Sequence, residues 1–491
     1  MLKEKSRNHF LYIIEEIVKG LKAWLIFIFI GAAKWGYIFG VVGVLFLIII
    51  PLISWCSIYF YLEDNTLVYI SGILSKEKRE IPFNKISTVD IQKTVIDRMF
   101  NICTVKIDTG IASINGSEFK IKLSHHMAMA LKEIILEGRK YEDNINKDES
   151  IDKEDVHQVL NKDIEDNKIE ASFKDILMYS LTKNKLIWSL SVFFIITEFL
   201  ENIERIINIS LLDKVLSFIN IENISNKSIG IIVVQVIGLV LFFYLITIII
   251  SVIFDNIRFS EFKVIKKGNR LNISYGLINQ KEYSIPLDKL HGIRLKQSLF
   301  QQIFNLYSIE VITIGYGDET GEIALLYPVA NESIKNKIIR ELIPHMEYKG
   351  EVFKPKRRVI ARFIVKRFLV TLAIVTIFMN LLVRVDLTLR ISIGFMVILI
   401  SIIRGYANYR NTSIGVDSNV IIISEGSITK KTTIITQNSV QSISKAEGPL
   451  QRVRGICNYK INIYSNSFGE VVTVKNLDNN IMELLDNQLI I

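Results

Sequence analysis

From Ala23 to Phe60 the chain carries one charged side chain, Lys34. A helix that crosses a bilayer needs about 20 mostly apolar residues. The run is too long for one such helix and suits two, 14–33 and 36–59, with a tight turn at Lys34. The pattern returns at 186–207 with 229–254, and again at 364–384 with 389–405. Arg384, Asp386 and Arg390 occupy the turn of the last pair, and Arg390 and Arg404 frame only 13 apolar residues. That helix is short, and its arginines are expected to snorkel toward the interface. No small-residue cleavage site follows the first run, which is read as a retained anchor rather than a signal peptide.

The flanking charges orient the spans. Lys3, Lys5, Arg7, Lys19 and Lys22 precede the first, Arg258, Lys263, Lys266 and Lys267 follow the fourth, and Lys354 to Arg367 lead into the fifth. With six spans all of these fall on one side, which the positive-inside rule makes the cytoplasm. Both termini are then cytoplasmic. Five spans, or a re-entrant first segment, is the alternative. The net charge of +9 is distributed along these flanks rather than gathered in one patch, so a nucleic-acid partner is not expected.

Three stretches between the apolar runs repeat one another. Gly72, Gly276 and Gly426 align at offsets of 204 and 150 residues, and the alignment runs without a gap for about forty residues downstream. Each glycine falls between two alternating strands, where a positive φ is cheapest. Ten residues on stand Pro82, Pro286 and Thr436, each after an isoleucine, as expected at a strand start or edge. Asn101, Asn305 and Gly455 coincide where a short helical turn should end in the left-handed conformation. Cys103, Tyr307 and Cys457 share a position read as half-buried strand, not as reactive thiols. Hairpin signals follow at Asn115-Gly116, at Gly317 to Gly321 and at Ser467 to Gly469. An amphipathic helix closes each copy, after Ser124, after Asn331, and after Asn476 or Asp478. Short strands closed by one helix outline a small β-barrel or sandwich.

This pattern of a glycine turn, Ile-Pro, an alternating strand and a helical turn ending in Gly or Asn resembles the bacterial pleckstrin-homology-like domain of type 2. Two spans followed by one such domain, three times over, is similar to membrane proteins of the YdbS/YdbT type. The third copy lacks the proline, and two copies have Asn where the family usually has Gly, which bears on local turn geometry only. The expected fold class is an α+β membrane protein with six transmembrane helices in three pairs, each pair followed by a PH-like barrel or sandwich with a C-terminal helix. The expected divisions are residues 1–60 (N-terminal segment and first pair), 61–138 (first domain), 139–183 (charged cytoplasmic linker), 184–256 (second pair), 257–345 (second domain), 346–406 (basic linker and third pair) and 407–491 (third domain). Acidic residues outnumber basic ones between 139 and 175 and no apolar stripe persists, so that stretch reads as disordered or marginally helical.

No nucleotide, metal or nucleophile motif emerges, so no cofactor and no enzyme activity are expected. His125 and His126 are adjacent and cannot share a helix face as metal ligands do. Glu198 and Glu201 lie one turn apart, and Arg205 can pair with Glu201. Deep in a membrane they would line a polar path; near the outer end of the span they are interfacial. Lys76, Lys78 and Arg79 on the first hairpin recur as Lys281, Lys430 and Lys431. Beside a membrane they are candidates to face anionic lipid or a partner, against the alternative of a solvated face. The leading functional expectation is a non-enzymatic membrane scaffold assembling with a protein partner or lipid. The alternative is a transporter or channel component. Through the resemblance, a smaller membrane protein with a related domain is an expected partner, self-association is a further one, and a role in export of antimicrobial peptides or resistance to them is implied.

Overall fold

The computed structural model describes residues 5–21, 37–73, 75–86, 88–109, 119–145, 167–183, 191, 198, 229–313, 324–381, 387–417, 419–463 and 470–481. In the first repeat, β1 (Ser6–Arg7), β2 (Tyr59–Glu63), β3 (Thr66–Ser71) and β4 (Glu77–Pro82) form one antiparallel sheet in that order. β5 (Thr88–Lys93), β6 (Ile102–Asp108) and β7 (Phe119–Ser124) form a second. Phe60, Leu67 and Ile81 of the first sheet bury against Ile91, Val105 and Ile121 of the second, and the helix His125–Ile145 adds Leu131 and Ile135. The domain is therefore a sandwich closed by a helix. The barrel alternative does not hold: β4 and β5 of one domain do not pair, and a 3-10 turn, Phe83–Lys85, carries the chain from one sheet to the other.

The second domain repeats this with β9 (Lys263–Lys267), β10 (Arg270–Tyr275) and β11 (Gln280–Pro286), then β12 (Leu290–Gln297), β13 (Tyr307–Thr313) and β14 (Leu325–Ala330). The third has β16 (Ser413–Val416), β17 (Val420–Glu425) and β18 (Lys430–Thr436), then β19 (Val440–Ala446), β20 (Ile456–Ile463) and β21 (Glu470–Asp478). The glycines adopt φ of +114°, +109° and +107°, as their turn requires, and Asn101, Asn305 and Gly455 lie at +54°, +50° and +61°. Pro82 lies on an edge strand, one of the two expected places, but neither it nor Pro286 starts its strand. They end their strands and lead into the 3-10 turn, where the fixed φ of proline suits the change of direction. Cys103 and Cys457 are fully buried rather than half-buried.

The sheets do not stop at domain limits. β5 of the first domain pairs with β11 of the second, and β12 of the second pairs with β18 of the third. Two seven-stranded sheets result, and the hydrophobic core of the second domain takes in Val420 and Ile434 of the third. Both junctions use one register: Lys93 lies opposite Gln280, and Gln297, the repeat equivalent of Lys93, lies opposite Lys430, the equivalent of Gln280.

Each first sheet also receives a strand from before the apolar segment. β1 pairs with β2, β8 (Asn167–Glu170) with β9, and β15 (Val352–Phe353) with β16. Part of the supposed linker is thus built into the second domain. After β8, the helix Phe173–Thr182 starts on a capping box of Ser172 and Asp175, and Ile169 and Ile176 join the core. Its strand and helix were obscured by the acidic run before them.

Among the described residues two helical stretches are long and apolar enough to cross a membrane, Val240–Arg258 and Arg390–Asn411, and a shorter apolar one is Val41–Ser57. They belong to the helices Ile229–Arg258, Leu387–Asn411 and Tyr37–Ser57, each leading directly into a strand. Six spans are therefore not what the described residues supply: residues 22–36, 199–228 and 382–386, including Lys34, Arg384 and Asp386, lie outside them. The helix Ile360–Leu381 packs antiparallel on Leu387–Asn411, with Thr371 bonded to Ser401 at 2.8 Å. A Cβ on Gly405 would come within 2.9 Å of the Ile364 Cα, so glycine sets the closeness of this pair. The hairpin tips at 115–116, 317–321 and 467–469 and the closing helix of the third copy also fall outside the described residues.

Candidate membrane-interface site

In the second and third domains the glycine turns are fastened to the feet of the apolar helices. The Gly276 amide donates to the Ser260 carbonyl (2.8 Å), and the Leu277 amide to that of Ile257 (3.0 Å). In the third domain Asn408 and Asn411, at the end of their helix, bond the amide and carbonyl of Gly426 at 3.2 Å each. Side chains larger than glycine would collide here, since a Cβ at Gly276 would stand 2.1 Å from the Asn279 carbonyl oxygen.

Each domain also carries a short helix, Val95–Met99, Leu299–Ile303 and Pro449–Arg452, and the first two lie beside the glycine turn of the following domain through Arg98 and Gln302. The helix start is fixed by a buried side chain three residues beyond the N-cap, Asp97, Gln301 or Gln451, which accepts from the cap amide of Thr94, Ser298 or Gly448. The sequence signal was present as T-x-x-D and S-x-x-Q at the repeat offset. One aligned position on this helix or just after it is apolar and highly exposed in all three copies: Met99 at 78%, Ile303 at 70% and Val453 at 86%. Exposed apolar groups at the foot of membrane helices have a natural environment in the headgroup boundary.

Under the third domain this interface opens into a cleft of about 920 Å³ between the helix Ile360–Leu381, its partner helix and the short helix Pro449–Arg452. Arg362, Lys366, Arg367, Arg404, Arg454 and Lys475 line it, with no acidic side chain among the lining residues. Phe363, Leu369 and Val370 supply an apolar wall. Arg362 donates to the Leu450 carbonyl (3.0 Å) and Arg367 to that of Arg404 (2.8 Å), which fixes two of the guanidinium groups. Cations above an apolar wall match a phosphate headgroup and its acyl chain.

The cations singled out from the sequence go elsewhere. Lys76 is exposed beside the end of the helix Tyr37–Ser57, while Lys78 and Arg79 on β4 pair with Glu80 (2.5 Å) and Glu77 (2.7 Å). Lys281, Lys430 and Lys431 lie inside the junctions, opposite Gln92, Gln297 and Lys296. Burial, with Lys354 and Lys335 nearby, holds the Lys430 ammonium below the usual lysine range. Five of the six therefore occupy one repeated strand, with Lys76 just before it, and they do not converge on one surface. Glu198 is an exposed helical residue; Glu201 and Arg205 lie outside the described residues. Among the described residues no cluster of His, Cys, Asp or Glu could hold a metal ion. Arg362, Arg367 and Arg404 were visible in the sequence, but as orienting or snorkelling charges; their convergence with Arg454 and Lys475 depends on the fold.

A family profile described as the bacterial PH domain matches residues 13–139, 193–341 and 363–489. The chain is 21% identical over 460 residues, 91% of its own length and 87% of the relative's, to the UPF0699 transmembrane protein YdbT of Bacillus subtilis (strain 168). No solved structure matches it.

Proposed function

Since the chain belongs to the bacterial PH-domain family, with the domain repeated three times, we propose that it is a non-enzymatic membrane scaffold. Its three domains stand in one row on the cytoplasmic leaflet and assemble with a protein partner, while the cleft under the third holds an anionic headgroup. The observation that carries this reading is the fusion of neighbouring domains through β5–β11 and β12–β18. A row tied by main-chain hydrogen bonds presents its surfaces at fixed spacing, which is what a docking platform needs and what three independent modules would lack. The cationic flanks and the Arg362–Arg454 cleft support the cytoplasmic side. A smaller membrane protein with a related domain is one partner such a row would accept. A role in antimicrobial-peptide export or resistance would be exercised through that assembly.

Cross-linking the full chain in its own membranes is expected to capture a second protein or a second copy, and capture of neither would sink the scaffold reading. For the cleft, each cation near an anionic surface contributes about 1 kcal/mol. An Arg362→Gln, Arg454→Gln double variant is thus expected to weaken phosphatidylglycerol retention by about thirtyfold. Native mass spectrometry from mixed-lipid nanodiscs reads this, and unchanged retention would remove the cleft from the lipid assignment.

A further inference from the structure

The two junctions inside the chain follow one rule. The first strand of a domain's second sheet (β5, β12) pairs with the last strand of the next domain's first sheet (β11, β18), in one register. The rule leaves two ends unused. β19 is the third domain's counterpart of β5 and β12, and β4 is the first domain's counterpart of β11 and β18. Among the described residues each lies at the edge of its sheet. Their exposure differs accordingly: five of the six residues of β4 are exposed against none in β11, and four of seven in β19 against none in β12. We propose that copies of this chain join head to tail, β19 of one pairing antiparallel with β4 of the next in the register already used within the chain. The proposal rests on the scaffold reading and names one occupant of its ends.

Transferring the register sets Glu447 opposite Lys76, Ala446 opposite Glu77 and Lys445 opposite Lys78. The first is an opposite-charge pair, and one carboxylate oxygen of Glu447 is buried without a hydrogen-bond partner. Its other oxygen has Lys445 and Arg452 only at 3.9 and 4.0 Å. A second contact accompanies both internal junctions. Arg98 donates to the Leu277 carbonyl (2.5 Å), and Gln302, its equivalent, to the Ser427 carbonyl (3.2 Å). The same position in the third domain is Arg452, whose side chain is 78% exposed. Its acceptor in the next copy would be the Ile73 carbonyl. Charge along β4 guards an edge against indiscriminate pairing, yet it does not block this one: in the existing junction Lys431 already lies opposite Lys296, whose ammonium is met by Glu310 at 3.1 Å. The contact is heterologous, so each added copy presents the same two ends again, and a chain or ring of copies results.

The test uses the full-length protein with the exposed Cys56 replaced by serine. Glu77→Cys and Ala446→Cys variants are co-expressed in one membrane and treated with a short bismaleimide. A covalent dimer is expected from the mixture and from neither variant alone. Adding Glu447→Lys to the Ala446→Cys copy should lower its yield several-fold, and Lys76→Glu in the Glu77→Cys copy should restore it. Absence of the dimer, with both cysteines labelled by a small maleimide dye, overturns the proposal, as does a yield indifferent to the charge swap. Cross-linking of these cysteines to a different protein instead would overturn the homotypic pairing and leave the scaffold reading standing; capture of nothing by the full chain in its membranes would end both.

Discussion

Replacing Asp97 with alanine is expected to destabilise the first domain by about 3–5 kcal/mol, the cost of stranding a buried charge. Asp97 is fully buried and meets the Lys122 ammonium, itself only 6% exposed, at 2.7 Å. Glu15 reaches Lys122 at the same distance from a more exposed position, which places the cost toward the lower end of the range. The variant also loses the bond from the Thr94 amide that starts the short helix. Gln301 holds the same place in the second domain but is neutral and bonds Ser308. Gln301→Ala should therefore cost only about 1 kcal/mol, a cap and a neutral hydrogen bond. Hydrogen exchange of the full chain, compared over β6 and β7 against β13 and β14, separates the two. Equal losses would mean that the ion pair contributes no more than the cap.

A second large effect is expected at Gly292, on the strand that joins the second domain to the third. A Cβ there would stand 2.6 Å from the Ile434 carbonyl oxygen and 2.8 Å from a methyl of Ile435. β12 cannot retreat, because β13 pairs with its other edge, next to an irregularity between Leu290 and Gly292. Gly292→Val should cost about 3 kcal/mol, the upper end for overpacking, and the loss should concentrate in the junction. Amides from Thr432 to Ile435 are expected to exchange faster and proteolysis to release the third domain, while the β5–β11 junction is unchanged. Unaltered exchange in β18 would show that the close approach is relieved elsewhere.

The features legible in the sequence are those determined locally. Gly72, Gly276 and Gly426 announce their turns because few residues tolerate their φ. Asn101 and Asn305 mark helix ends for the same reason, and Ser124 and Asn331 mark helix starts. The junctions were not legible, because Lys281, Lys430 and Lys431 look the same on a solvated hairpin as on a strand paired with another domain. β1 and β15 have two residues each, too few for alternation to register, and they reach their partners only after the apolar segment has intervened. The capping position escaped notice because its residue varies from Asp to Gln. Four of the six cations of the cleft were visible as membrane-flanking charge, but Arg454 follows the short helix Pro449–Arg452 and Lys475 stands on β21, and only packing brings them in.

The strands laid down before each apolar segment have a further consequence. Arg7 lies beside Tyr59, Glu170 beside Lys263 and Phe353 beside Ile414. A path that leaves a sheet and returns to the same sheet must cross any surface between an even number of times. Parity thus forbids a single crossing in any of the three excursions, and with it an odd total such as five. Each excursion can only enter the bilayer as a hairpin or not at all, and no change in the flanking lysines and arginines could send one domain to the opposite face without first tearing a strand from its sheet.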